Sequence, residues 1–320
     1  MVDSKGVILD ADSLGCDIDL SSFQQIMPFQ VFGTTSSNQV ATRIESCNVV
    51  FTNKVVITEA HMQQNPQLRY IGILATGTNN VDLIAAAKYG ITITHITRYG
   101  THSVAQHTWG LILSLVTQQY RYQQAVQQGR WSASPFFCLL DYPITELAGK
   151  KLVIVGYGEL GKQVAKIAEA FGMEVLLAKV PGSPQYNNKN RLPLAEAFAL
   201  ADIVSLHCPL VTQTRHLIND ESLSWLQPHT FLINTARGDL IDEAALLQAL
   251  INNRLAGAGL DVLAVEPPPV DHPLIAAELP NLLITPHCAW GSQQARQRLV
   301  TQARSHLLNF LANKPTGLVC

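Results

Sequence analysis

Three side chains that could do acid–base and anion chemistry each follow a different short apolar run in the second half of the chain. Arg237 comes just after F-L-I-N-T, Glu266 lies beyond G-L-D-V, and His287 follows L-I-T-P. An arginine fork can donate two parallel hydrogen bonds to a carboxylate, and a carboxylate beside an imidazole favours the protonated ring. Taken singly, each residue also fits a surface or structural position. Together, at the ends of strands of one sheet, they indicate a site that binds an acid and moves a proton.

A glycine-rich segment at 151–172 has the form of a dinucleotide-binding turn. A β-branched run leads into G-Y-G-E-L-G, and apolar residues at helical spacing follow until Gly172, which is placed to end the helix. Gly156 permits the tight turn, Gly158 lets the backbone approach a pyrophosphate, and Gly161 lets the helix pack close to the sheet. The helix N-terminus then offers N–H groups and a partial positive charge to the phosphates. This context favours a dinucleotide site over a glycine turn without a ligand.

Short apolar strands alternate with helical segments in two series, and these elements must position the residues above. The first series predicts strands at 7–9, 31–32, 49–51, 70–74 and 91–94. The second predicts strands at 151–155, 174–178, 202–207, 231–235, 257–262 and 282–284. Both series predict doubly wound parallel sheets, an α/β fold in which ligands bind at the carboxyl edge. The segment between them predicts one helix over 101–129, ended by Gly129 and followed by a loop at 131–143, which would serve as a hinge or as an arm on a second subunit.

Composition narrows the class of protein. A chain of 320 residues is long enough for two domains, and its net charge of -2 without charge runs argues against nucleic acid or an anionic membrane as a partner. The apolar stretches are too short to cross a bilayer, and the N-terminus lacks the features of a signal peptide. The six cysteines have no ligand spacing, so we expect reduced thiols in a cytoplasmic protein, with no metal site and no disulfide framework.

Three motifs behind the glycine loop carry a resemblance to a known family. They are N-T-A-R-G at 234–238, D-V-L-A-V-E-P at 261–267 and T-P-H at 285–287, and in this order they resemble the D-isomer-specific 2-hydroxyacid dehydrogenases. I-L-A-T-G-T-N-N-V-D at 73–82 is similar to the family's substrate loop, and V-A-Q-H-T-W at 104–109 to the start of its interdomain helix. The flanking segments are most similar to bacterial glycerate dehydrogenases, also called hydroxypyruvate reductases.

The resemblance implies a two-domain oxidoreductase. It implies a discontinuous, flavodoxin-like substrate domain at 1–98 and 287–320, a Rossmann-type dinucleotide-binding domain at 99–286, and a homodimer. The implied reaction transfers a hydride between NAD(P) and a small 2-keto or 2-hydroxy acid, with hydroxypyruvate and D-glycerate as the leading pair and glyoxylate as another substrate. The alternatives are a nucleotide-sensing corepressor of the same fold and an inactive paralogue, the latter disfavoured by the intact arginine, glutamate and histidine.

Roles follow from the resemblance residue by residue. Arg237 would hold the carboxylate and carbonyl of the keto acid, His287 would donate the proton, and Glu266 would hold its second nitrogen. The substrate-binding set is Ala75, Thr76, Gly77, Arg237 and Trp290, although Trp290 fits core packing equally well. The cofactor-binding set is Thr108, Gly156, Gly158, Glu159, Leu160, Gly161, Lys179, Cys208, Pro209, Thr214, Thr235, Ala236, Arg237, Asp261 and His287.

Two positions depart from the family pattern. Lys179 stands where many relatives carry an acidic residue that accepts hydrogen bonds from the adenosine ribose, and an ammonium suits the 2′-phosphate of NADP instead. We therefore expect NADP to be used, unless Lys179 points to solvent and backbone groups hold the ribose. The helix has Ala105-Gln106 where an acidic residue is common, which removes a charge near the hinge without a clear mechanistic meaning.

Overall fold

A computed structural model describes residues 4–319 of the chain. These residues form eleven β-strands: β1 (Gly6–Ile8), β2 (Phe29–Val31), β3 (Val49–Thr52), β4 (Tyr70–Ile73), β5 (Thr92–His95), β6 (Lys151–Val155), β7 (Glu174–Leu177), β8 (Ile203–Leu206), β9 (Phe231–Asn234), β10 (Gly257–Leu260) and β11 (Leu282–Ile284). They also form twelve α-helices: α1 (Ser21–Gln24), α2 (Val40–Ile44), α3 (Glu59–Gln64), α4 (Leu83–Lys88), α5 (Thr101–Val116), α6 (Gln119–Gln127), α7 (Glu159–Ala170), α8 (Leu194–Ala199), α9 (Asp220–Ser224), α10 (Glu243–Ile251), α11 (Pro273–Ala276) and α12 (Gln293–Leu311). Short 3-10 helices lie at Ala11–Leu14, Ser37–Gln39 and Gly238–Leu240.

The chain divides into two compact units. The first unit runs up to Gly100 and resumes at Trp290, and the second runs from Thr101 to Ala289. The assignment of substrate binding to the first unit and of the cofactor to the second, with boundaries at 98 and 287, stays a prediction.

The first unit is a parallel sheet whose strand order is β2-β1-β3-β4-β5, the flavodoxin-like order expected from the sequence. The residues of β1, β3 and β4 are all buried, because helices cover both faces of such a sheet. The long helix α12 returns from the far end of the sequence to this sheet, where the rings of Tyr70 and Phe310 lie 5.0 Å apart. The chain after α12 then joins the edge strand, since the Val319 amide donates to the Ile93 carbonyl at 2.9 Å.

The second unit is a six-stranded parallel sheet in the order β11-β10-β9-β8-β6-β7. Its order reverses between β6 and β8, and in open sheets of this kind the ligand crevice lies at the carboxyl ends of the strands beside that reversal. Helix α5 packs on α7, β9 and β10. The predicted α/β class and the strands of both series are confirmed.

The predicted single helix over 101–129 is wrong, because the structure breaks it into α5 and α6. Gln118 lies between them with a left-handed φ of 55°, and the Thr117 hydroxyl donates to the Leu113 carbonyl at 2.6 Å. Helix α5 is apolar and largely buried, whereas α6 is rich in glutamine and buries Ala125 alone among its residues. Because α6 has little apolar packing to hold it in line with α5, the local hydrogen bonds around Thr117 and Gln118 determine the backbone there and the helix breaks. Gly129, at φ 75°, follows the end of α6 as predicted.

Within residues 4–319 there is no helix whose length and apolar character would suffice to cross a membrane.

Candidate active site

The arginine, glutamate and histidine follow three neighbouring strands of the second sheet. Arg237 comes after β9, Glu266 after β10 and His287 after β11, and these strands pair in parallel in that order. Their carboxyl ends therefore share one edge of the sheet, which is the placement expected from the sequence.

His287 and Glu266 are in direct contact at this edge. Glu266 Oε2 lies 2.6 Å from His287 Nδ1, and the two side chains are 34% and 33% exposed. The other oxygen, Glu266 Oε1, accepts the Leu263 amide at 2.9 Å, which fixes the carboxylate in the loop after β10. His287 itself adopts a left-handed φ of 49°, and its amide donates to the Asp261 carbonyl at 2.9 Å. A strained backbone at a residue other than glycine is typical of sites whose geometry is imposed by their surroundings.

Asp261 holds the loop that carries the histidine. Its buried carboxylate accepts the amides of Cys288 at 3.0 Å and Ala289 at 2.8 Å and the hydroxyl of Thr285 at 2.6 Å, while His107 Nε2 lies 3.3 Å away. Burial by itself would raise the pKa of Asp261, but the hydrogen bonds from His107, Thr285 and the two amides outweigh it and hold the pKa below its ordinary value. Asp261 is thus a charged acceptor around which this loop folds.

Cys288 is exposed and follows His287 directly in the sequence. Partial burial, followed by the negative charge and hydrogen bond of Asp261, raises the pKa of its thiol. The sequence reasoning singled out neither His107 nor Cys288, because their relation to Asp261 depends on contacts between distant segments.

Arg237 is exposed and belongs to a turn that is held by side-chain hydrogen bonds. Asn234 donates through Nδ2 to the Arg237 carbonyl at 2.8 Å and accepts the Ala236 amide at 3.0 Å, so a buried amide side chain shapes the turn. A Cβ atom on the next residue, Gly238, would lie 2.0 Å from the Leu263 carbonyl carbon. The arginine turn therefore packs directly on the backbone that supplies an amide to Glu266. This glycine and its contact were missed from the sequence.

The glycine loop fits a dinucleotide, and its three glycines serve different purposes. A Cβ on Gly156 would lie 2.4 Å from the Cys208 amide nitrogen, and one on Gly161 would lie 2.1 Å from the Gly156 carbonyl oxygen. Both glycines are therefore required by the fold itself. A Cβ on Gly158 would meet no atom of the chain within 4 Å, at the N-cap of α7. The backbone is bare there, as close approach of a pyrophosphate to a helix N-terminus requires.

The remaining predicted cofactor residues of this unit lie on the same edge of the sheet or close behind it. Thr108 on α5 is buried, and its hydroxyl lies 3.0 Å from that of Thr235, the residue after β9. Cys208 follows β8, and burial raises the pKa of its thiol to about 11. Thr214 donates to the Pro209 carbonyl at 2.7 Å and so closes the turn after β8. Glu159 and Leu160 open α7, and Ala236 belongs to the turn after β9.

Lys179 lies just beyond β7 and is half buried. Its ammonium is 5.8 Å from the centre of the Tyr186 ring, in the loop that returns to pair with β7 through the Lys179 amide and the Leu192 carbonyl, 2.8 Å apart. The same loop brings a second cation, because buried Arg191 donates to the Ala178 carbonyl at 3.3 Å. The sequence reasoning missed Arg191, since the loop between the two residues hides their proximity.

The predicted substrate loop belongs to the first unit and follows β4. Ala75 is buried, the Thr76 hydroxyl donates to the Ile96 carbonyl at 2.8 Å, and His95 Nδ1 donates to the Thr76 carbonyl at 2.9 Å. These bonds hold the backbone just before Gly77. Trp290 packs edge-on against Tyr99, with ring centres 6.2 Å apart, which is consistent with the packing role left open for it.

Residues 109–289 match the family model described as "D-isomer specific 2-hydroxyacid dehydrogenase, NAD binding domain". The chain belongs to this family. A curated relative, a glycerate dehydrogenase of Methylorubrum extorquens, is 39% identical over 98% of both chains. A hydroxypyruvate reductase of Blautia hydrogenotrophica is 36% identical over 98% of this chain and 99% of its own. Among solved structures, an acyclic imino acid reductase in complex with NADPH and D-Arg superposes with a TM-score of 0.85 at 26% identity, over 99% of this chain and 100% of that one.

Membership of the family settles the class of protein. The protein is a D-2-hydroxyacid dehydrogenase, an oxidoreductase that uses a nicotinamide cofactor, as the sequence predicted. The corepressor alternative receives no support from these relatives. The roles of individual residues stay predictions.

Proposed function

We propose that this dehydrogenase reduces hydroxypyruvate to D-glycerate and, as a second substrate, glyoxylate to glycolate. The observation that carries the proposal is the contact of 2.6 Å between His287 and Glu266, on the sheet edge that Arg237 also occupies. An acid paired with a carboxylate, next to an exposed guanidinium, suits a substrate with a carboxylate beside a carbonyl. The names of the two curated relatives support the choice of a small hydroxylated keto acid.

The substrate-facing residues have separate roles in this reaction. Arg237 binds the substrate carboxylate and polarises the carbonyl through its planar fork. His287, held by Glu266 through Nδ1, donates a proton from Nε2 to the carbonyl oxygen. The backbone N–H groups of Thr76 and Gly77 bind the second carboxylate oxygen, with Ala75 and Trp290 bordering the substrate.

The cofactor supplies the hydride when it is bound. On the protein side, Gly156, Gly158 and Gly161 form the phosphate turn, with Glu159 and Leu160 opening the helix behind it. The other contacts fall to Thr108, Lys179, Cys208, Pro209, Thr214, Thr235, Ala236, Arg237, Asp261 and His287. These groups orient the reactants and exclude water, and they contribute charge rather than new bonds.

We further propose that NADPH is accepted at least as well as NADH. Two cations, Lys179 and Arg191, stand at and beside the position where relatives carry an acidic ribose acceptor. A positive region there attracts a 2′-phosphate, whereas an acidic residue would repel it. The imino acid reductase of the same fold, solved with NADPH, is consistent with this choice.

The assembly we propose is a homodimer in the cytoplasm, joined through the helix and loop at 101–143. Three large apolar side chains of that loop are strongly exposed in the single chain: Phe136 at 73%, Phe137 at 91% and Leu140 at 77%. A cluster of this kind is typical of a surface that another chain covers. The scattered cysteines support a reducing compartment.

A panel of 2-keto acids, each assayed with NADH and NADPH, tests the reaction. Hydroxypyruvate should give the highest kcat/KM, followed by glyoxylate. Preferential reduction of pyruvate or of a bulky aromatic keto acid would overturn the proposed substrate.

The anchoring role of Arg237 is tested by Arg237→Lys, which keeps the charge but loses the planar fork. We expect kcat/KM for keto acids to fall by about 100-fold or more while cofactor binding, followed by the fluorescence of the reduced nicotinamide, is retained. The role is misassigned if the variant loses cofactor affinity and keeps its KM for the keto acid.

A further inference from the structure

Three side chains of the types that ligate metals in proteins meet beside His287. His107 Nε2, an Asp261 carboxylate oxygen and Cys288 Sγ all lie within 4.8 Å of one another. They come from α5, from the end of β10 and from the loop after β11, and all belong to the second unit. The histidine is 25% exposed and the cysteine is exposed, so the cluster can be reached from solvent.

The contacts within the cluster already bring three possible metal ligands close together. His107 Nε2 lies 3.3 Å from Asp261 Oδ1 and 2.9 Å from Thr285 Oγ1, and Cys288 Sγ lies within 4.8 Å of both the carboxylate and the imidazole. An imidazole and a thiol thus flank one buried carboxylate. A divalent cation between them would bind an imidazole nitrogen, a thiolate and a carboxylate oxygen, which is a set that zinc favours.

The distances allow such an exchange with small side-chain movements. Zinc bonds of about 2.0–2.3 Å place tetrahedral ligand atoms roughly 3.3–3.8 Å apart. Starting from separations of no more than 4.8 Å, the ligand atoms need to close by about 1 Å. The exposed Cys288 supplies most of that freedom, and water completes the fourth position.

We propose that His107, Asp261 and Cys288 form an inhibitory site for a thiophilic divalent cation such as Zn²⁺ or Cd²⁺. On binding, the Cys288 thiol releases its proton to solvent, and His107 ligates through Nε2 with its ring proton on Nδ1. No electron is transferred. Once the Asp261 carboxylate ligates the cation, it no longer accepts hydrogen bonds from the amides of residues 288 and 289. The loop that carries His287 is thereby displaced.

Binding is tested directly with cadmium and the chelator-treated enzyme. We expect one equivalent of Cd²⁺ to produce the ultraviolet absorption of a cadmium–thiolate bond, and Cys288→Ser to abolish that equivalent. Cys16→Ser is the matched control, because Cys16 is also an exposed thiol but lies in the first unit. Loss of the cadmium absorption in Cys16→Ser with retention in Cys288→Ser would refute the site.

Inhibition is the second readout and rests on the proposed reductase activity. Zn²⁺ should inhibit reversibly, EDTA should restore activity, and Mg²⁺ should have no effect. Cys288→Ser and His107→Gln should each raise the half-inhibitory zinc concentration by about tenfold or more, with Cys16→Ser unchanged. Equal inhibition of wild type and both variants would overturn the proposal. If no keto acid is reduced, the cadmium titration still decides the metal site, so the two failures are distinguishable.

Discussion

Glu266 uses its two oxygens for different tasks, one on the imidazole of His287 and one on the amide of Leu263. A glutamine in its place keeps a carbonyl oxygen and the shape, but it loses the negative charge. The single substitution Glu266→Gln therefore separates the effect of the negative charge from the effect of the side-chain shape.

Replacement of the acid itself should be severe. We expect His287→Ala to lower kcat by about two to four orders of magnitude, the usual scale of general acid catalysis. Glu266→Gln should also lower kcat, because the ring of His287 loses the negative charge that faces its Nδ1. Glu59→Gln, which alters a surface pair with Lys88, serves as the control and should leave kcat unchanged. Near-normal turnover in His287→Ala would end the assignment.

We expect a second residue, Lys179, to govern the choice between NADH and NADPH. Lys179→Asp should shift preference toward NADH, mainly through KM, because the 2′ position is remote from hydride transfer. Lys166→Asp, the same charge change on an exposed position of α7, provides the comparison. Steady-state kinetics with both cofactors decide the matter: a strong native preference for NADH, or unchanged selectivity in Lys179→Asp, would show that this side chain does not read the ribose.

The turn between β6 and α7 lets the fold and the ligand be tested separately. Gly161→Ala places a Cβ 2.1 Å from the Gly156 carbonyl oxygen, so we expect a loss of about 1–3 kcal/mol in the free energy of unfolding. Gly158→Ala meets no atom of the chain and keeps an allowed φ of -83°, so its stability should stay within about 1 kcal/mol of the wild type. Its cofactor affinity should fall by tenfold or so, because the pyrophosphate needs the bare backbone.

Urea unfolding without cofactor measures the change in stability, and titration followed by nicotinamide fluorescence measures the change in cofactor affinity. A Gly158→Ala protein that binds cofactor normally would mean that the phosphates pass elsewhere.

The strands and their edge could be predicted from the sequence because fully buried parallel strands are continuous apolar runs, and residues after them must share an edge. The shared edge of Arg237, Glu266 and His287 followed from that rule, whereas the pairing of His287 with Glu266 was implied by the family resemblance. The break at Gln118 could not be predicted, since it depends on which helix faces find packing partners. The cluster of His107, Asp261 and Cys288, and the approach of Arg191 to Ala178, join segments whose spacing in sequence carries no signal.

At the scale of the whole molecule, the exposed apolar side chains of the loop at 131–143 lead us to predict how two chains associate. We expect the wild type to sediment as a dimer and Phe137→Asp to sediment as a monomer, because the substitution buries a charge in the proposed contact. Val270→Asp is the matched control, since Val270 is 98% exposed but lies outside the arm. Dimerisation that survives in Phe137→Asp at low protein concentration would place the interface elsewhere.

Helix α12 has a further consequence for how the molecule is made on the ribosome. Its buried Leu299, Val300, Ala303 and Leu307 complete one of the apolar clusters of the first unit, although the strands of that unit are translated some two hundred residues earlier. The second unit, complete at Ala289, has all of its core before α12 leaves the exit tunnel. Domains fold as units during synthesis. We therefore expect the second unit to fold first, while one face of the first unit's sheet stays uncovered until α12 has been synthesised. A chain truncated before residue 293 and released from the ribosome should resist protease in its second unit and be cleaved in its first.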